Sequence, residues 1–167
     1  MAATGTRGLV RLWDAETGEP LKIFHAHRSD VFSLCLGGDG TLILSAGMEQ
    51  VYGGWHHTVR LWDTQTGTCV WEHVSDTAVH AVRLSADGRF ALSGSWDGTV
   101  RLWDVTDGSC LHTLRGHTGE VAAAVLSADG RFAVSGGDDR VVRLWEIDWE
   151  LDVRRPAGGG AGKPPSA

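Results

Sequence analysis

A chain of 167 residues, 42% of them hydrophobic, can bury one sizeable core, so a single domain is the starting expectation. Its formal charge of -6 has the wrong sign for general phosphate-backbone binding, which needs clustered Lys and Arg, so nucleic acid is not expected as a partner. No stretch approaches the roughly 18 to 20 consecutive apolar residues of a membrane helix, and no basic segment followed by an apolar run opens the chain, so neither membrane nor secretion is expected.

From the N-terminus onwards one short pattern recurs four times. It reads Leu9-Val10-Arg11-Leu12-Trp13-Asp14, Thr58-Val59-Arg60-Leu61-Trp62-Asp63, Thr99-Val100-Arg101-Leu102-Trp103-Asp104 and Val141-Val142-Arg143-Leu144-Trp145-Glu146. The tryptophans are spaced by 49, 41 and 42 residues, the signature of a repeat architecture. The first unit is short: strands are expected at about 8-13 and 20-24, with Ala3 and Arg7 where later units carry Ser and Asp. Its innermost strand and most of the next are expected to be missing.

The second unit predicts strands at about 30-36, 41-46, 58-62 and 69-73, with seven extra residues between the middle two, within Met48 to His57. That insertion is expected to be a loop, and it carries Tyr52 and Trp55. The third unit predicts strands at about 78-84, 89-94, 99-103 and 110-114, and the fourth at about 120-126, 131-135, 140-145 and 148-153. Asp-Gly pairs between these apolar runs supply the positive φ of hairpin turns, and no window has helical spacing. Leu84-Ser85-Ala86-Asp87-Gly88-Arg89-Phe90-Ala91 returns as Leu126 to Ala133 with every residue unchanged. Residues 154-167, with no apolar pattern, are expected to be disordered.

The period, the Gly-His ahead of the inner strand, the turn Asp and the closing Trp-Asp resemble the WD-repeat β-propeller family over roughly residues 3-153. The resemblance implies an all-β fold of four-stranded antiparallel blades: a partial blade at 1-25, then blades at 26-74, 75-115 and 116-153. Closed propellers have about four to eight blades, so three and a half imply an open array, or one closed only by self-association.

In this family His, Ser, Asp and Trp form a buried hydrogen-bonded chain. It maps onto His117, Ser135, Asp139 and Trp145 in the last blade. The third supplies Ser93, Asp97 and Trp103, with Ser75 at the His position, and the second supplies His27, Ser45 and Trp62, with His56 at the Asp position.

A Ser, a His and an Asp together also spell a hydrolase triad, but a group recurring in register with an indole at its end suits structure rather than turnover. His25 with His27, and His56 with His57, have no Cys or carboxylate at a ligand spacing, so no metal is expected. No cofactor motif is present, and no enzyme activity is expected. Cys35, Cys69 and Cys110 are too few and of odd number for a disulfide scaffold, which points to reduced thiols in the cytoplasm or the nucleus.

The role implied by the resemblance is that of a scaffold or adaptor binding proteins or peptides. The alternative is a regulatory or sensor segment of a larger signalling enzyme, a kinase or a nucleotide-dependent protein. Contacts in the family come from the residue before the turn Asp, here Trp55, Trp96 and Asp138, and from the start of the inner strand, here Asp30, Ala78 and Glu120. Tyr52 joins them from the insertion, and Trp96 is the strongest candidate, because an indole in an exposed turn gains apolar burial when a partner arrives.

Overall fold

The computed structural model describes residues 1-51 and 53-147, and within them every regular element is a strand. The first sheet holds β1 (Ala2–Thr6), β2 (Leu9–Trp13) and β3 (Pro20–His25). The second holds β4 (Val31–Leu36), β5 (Leu42–Val51), β6 (Gly54–Asp63) and β7 (Cys69–Ser75). The third holds β8 (Val79–Leu84), β9 (Phe90–Ser95), β10 (Thr99–Asp104) and β11 (Cys110–Arg115), and the fourth β12 (Val121–Leu126), β13 (Phe132–Gly137) and β14 (Val142–Glu146). Each is an antiparallel meander in chain order.

Strand alternation explains the recurring motif. Successive side chains point to opposite faces, and the second and third sheets are packed on both sides, so Val and Leu of the motif serve one neighbour and Trp the other. Val10 and Leu12 of the first sheet meet Ile43 and Trp62 of the second. Val59 and Leu61 meet Val79, Val82 and Trp103 of the third, and Val100 and Leu102 meet Val121 and Ala124 of the fourth. The core is therefore three layers between four sheets. Two glycines set how closely the sheets approach: a Cβ on Gly5 would lie 2.7 Å from Val31, and one on Gly94 would lie 2.6 Å from Val121.

Among the described residues the fourth sheet has the motif but no neighbour on that side. Val100 and Leu102 are 0% exposed, whereas their counterparts Val142 and Leu144 are 76% and 70% exposed. Val134 pairs with Leu144, and Val125 with Val134, so these two extend the same open face.

Three sequence expectations need correction. The first sheet is not limited to two strands: β1 fills the place of the second strand, its Ala3 opposite Leu12 and its Thr4 opposite Arg11. Its turn, Arg7-Gly8, is one residue shorter than in the third unit, which shifts the equivalent of Ser93 from Ala3 to Thr4. Trp13 accordingly donates to Thr4 Oγ1 at 2.9 Å.

The insertion in the second unit is not a loop, because it prolongs β5 and β6 as a paired ladder from Gly47↔Thr58 to Val51↔Gly54. Backbone groups that a loop would leave to solvent are satisfied across the ladder instead. Consequently Trp55 is not in a turn at all; it sits on β6 opposite Gln50. Tyr52, the expected strand at 148-153 and the tail at 154-167 lie outside the described residues.

The cysteines are all free, and Cys69 and Cys110 open the outer strands β7 and β11. No helix among the described residues is long and apolar enough to cross a membrane.

Candidate functional site

The polar residues of the repeat form directed chains. In the fourth unit His117 Nδ1 lies 2.8 Å from Asp139 Oδ2, and His117 Nε2 lies 2.8 Å from Ser135 Oγ, to which Trp145 Nε1 donates at 2.8 Å. A carboxylate only accepts, so Nδ1 carries a proton. In the neutral ring Nε2 then accepts from the serine hydroxyl, whose oxygen takes the indole N–H. Asp139 also accepts from the Thr118 amide at 3.1 Å, which ties the turn to the segment entering the inner strand.

The second unit builds the chain with a substitute. His27 reaches Ser45 Oγ at 2.9 Å, and Trp62 donates to the same oxygen at 3.0 Å, but Nδ1 meets Thr58 Oγ1 at 3.0 Å. His56 takes no part: the lengthened hairpin carries it out opposite Glu49, exposed. Burial, reinforced by the Arg60 charge, pushes the His27 pKa down to about 4, so this ring is neutral near pH 7.

The third unit keeps only the Trp103 to Ser93 bond at 2.9 Å. Asp97 is not joined to it, because with Ser75 in the histidine's place no imidazole draws it in. Its carboxylate accepts from the Thr99 amide and hydroxyl at 3.0 and 2.7 Å. His73 packs on Trp103 instead, ring centroids 4.5 Å apart, with its pKa lowered chiefly by burial. Sequence reasoning missed His73, which stands outside the motif, and Thr58, which opens the motif in the second unit but has no place in the family's hydrogen-bonded chain.

Ser45, Ser93 and Ser135 are all buried with their hydroxyl oxygens taken by indoles, so none offers a nucleophile to a substrate. Among the described residues no group of three or more His, Cys, Asp or Glu is placed to hold a metal ion.

The partner-contact candidates converge on one edge of the stack, because the second-to-third-strand turn of each unit is bonded to the start of its inner strand. Trp96 donates its amide to Ala78 O at 2.8 Å, and Asp138 to Glu120 O at 2.9 Å. In the second unit the equivalent donor to Asp30 O, at 2.9 Å, is Met48 rather than Trp55.

Trp96 is 63% exposed and Trp55 54%. Asp30 and Asp138 are exposed, and Ala78 and Glu120 half-buried. Along the same edge His80 Nδ1 lies 2.7 Å from Glu120 Oε1, and Phe32 stacks on His80 with centroids 5.3 Å apart. This line crosses three sheets; of its members only Glu120 is a sequence candidate, because Phe32 and His80 belong to no motif.

The family profile described as WD domain, G-beta repeat matches residues 18–63, 67–104 and 108–146. The chain is 33% identical over 75 residues to eukaryotic translation initiation factor 3 subunit I of Botryotinia fuckeliana, and equally to that of Sclerotinia sclerotiorum. To the Pyricularia oryzae protein it is 30% identical over 79 residues. These alignments take in 45 to 47% of this chain and 20 to 21% of the relatives. The chain thus spans about a fifth of the length of the curated relatives it matches. Three consecutive profile matches, each ending at a Trp-Asp or Trp-Glu that closes the third strand of a sheet, leave one conclusion: the chain belongs to the WD domain, G-beta repeat family.

Proposed function

We propose that this chain is a protein-binding scaffold or adaptor segment, and that the edge carrying the second-to-third-strand turns and the inner-strand starts is where a partner docks. Trp96 carries the reading. Its indole is largely exposed, its backbone is fixed by the bond to Ala78, and the core does not use it. An exposed aromatic side chain presented from a fixed backbone is a candidate binding hot spot. Met48, Phe32, Glu120 and Asp138 extend the edge as a mixed apolar and acidic strip. The relatives' printed name, a subunit of a translation initiation factor, is that of a protein working within an assembly, which agrees with a binding role and with a place among translation proteins in the cytoplasm.

Affinity purification from native cells tests this with Trp96→Ala and, on the opposite edge, Thr106→Ala. The reading expects at least one partner whose recovery falls by about tenfold or more with Trp96→Ala and is kept with Thr106→Ala. A partner set indifferent to Trp96 would contradict it.

A further inference from the structure

Two arginines break the repeat at one junction. Gly8 and Gly98 are equivalent turn residues, with φ of 77° and 76°, and a Cβ on either would strike the carbonyl of the following unit's entry residue, His27 at 2.2 Å or His117 at 2.7 Å. The residue before Gly98 is Asp97, and the residue before Gly8 is Arg7. His117 is followed by Thr118, and His27 by Arg28. At the junction of the first and second sheets, therefore, arginines stand where the junction of the third and fourth has an acid and a neutral hydroxyl.

Neither arginine serves the fold. Both are exposed, and among the described residues neither makes a hydrogen bond or an ion pair. Arg7 moreover occupies a position with φ of 44° in a two-residue hairpin turn, which favours Asn, Asp or Gly.

Both line a cleft of about 500 Å³ with His25, His27, Glu49 and Arg60. Arg60 is held by Glu49, Glu72 and the Ala26 carbonyl, so its charge is already answered and it forms a fixed wall. The two free guanidiniums remain, in a protein whose net charge is -6.

We propose that this cleft is a phosphomonoester site that receives a phosphorylated serine or threonine side chain of a partner protein. The proposal rests on the reading of this edge as a protein-docking surface, and it names the chemistry of what docks. A guanidinium presents paired N–H donors that fit phosphate oxygens, and two of them balance one dianion. A nucleic-acid backbone would need a track of such charges, whereas here the carboxylate of Glu49 lines the cleft beside Arg60.

The test is fluorescence anisotropy with a labelled degenerate pool of phosphoserine peptides, the unphosphorylated pool, inorganic phosphate as competitor and a single-stranded RNA homopolymer as second competitor. The phosphorylated pool is expected to bind at least about tenfold more tightly than the unphosphorylated one and to be displaced by phosphate. Arg7→Asn, which suits the turn, and Arg28→Gln should each weaken binding about fivefold or more without lowering the urea midpoint.

Equal binding of the two pools, no binding of the phosphorylated pool, wild-type affinity in both arginine variants, or displacement by RNA in preference to phosphate would overturn the site. Trp96→Ala is expected to keep phosphopeptide binding, because it lies at a different junction. Failure of the arginine variants therefore leaves the Trp96 reading standing, and indifference to Trp96 leaves the cleft to be judged by the arginines.

Discussion

Trp96 and Trp103 stand seven residues apart in one unit, and one is mostly in solvent while the other is 1% exposed. The difference comes from place, not residue type: Trp103 lies on β10 facing the second sheet and bonds Ser93, whereas Trp96 opens the turn into that strand. Trp103→Ala is expected to cost about 3–5 kcal/mol, and Trp96→Ala or Trp55→Ala less than about 1 kcal/mol, by urea denaturation. This division could be read from the sequence, because the buried tryptophans recur with the period and the exposed pair do not. The partner of each polar group was less legible, since Thr58 stands in for an Asp only because a hairpin two residues earlier carries His56 away.

His27 adds a pH dependence. Its ring takes a proton near 6.5 in the unfolded chain but only near pH 4 when buried. Between those values the unfolded chain binds more protons, so stability is at its full value above about pH 6.5 and falls as the pH drops towards 4. The loss from this residue approaches about 3 kcal/mol. Urea midpoints at pH 7.5 and 4.5 should therefore converge in His27→Gln relative to the wild type. An equal fall in both would show that the ring is not buried and neutral.

At the scale of elements, the turns are where sequence and geometry agree best. The identical Ser85 to Phe90 and Ser127 to Phe132 segments make identical bonds, Ser Oγ to Asp at 2.6 Å and the Phe amide to Ser Oγ at 2.9 Å. Arg140 is the exception, holding a φ of 63° at the place that Gly98 fills in the third unit. Arg140→Gly is expected to raise stability by about 0.5–1 kcal/mol, since the left-handed conformation costs a side chain more than glycine loses in entropy. A lower midpoint would mean that the arginine side chain earns its strain through contacts. The insertion reads as a loop in sequence because insertions in repeat arrays usually fall in loops, yet pairing two long strands satisfies more backbone groups than a loop does.

For the whole molecule, the stacking order followed from the repeat, while the exposure of its ends depends on neighbours that no local pattern encodes. Leu102→Ala is expected to cost about 2–5 kcal/mol, and the same change at Leu144 less than about 1 kcal/mol, although the two leucines share a motif. Equal costs would mean that the open face is covered in solution. The face of Val125, Val134, Val142 and Leu144, open among the described residues, also favours association. Sedimentation at rising concentration should show growing mass, reduced in Leu144→Glu.

The docking edge itself is tested most directly by placing a photo-crosslinking amino acid singly at positions 96 and 138 on that edge, and at 107 and 129 on the opposite one, in native cells. The account expects defined protein adducts from 96 and 138 and few from 107 and 129. Adducts concentrated at 107 and 129, or spread equally over all four, would contradict it.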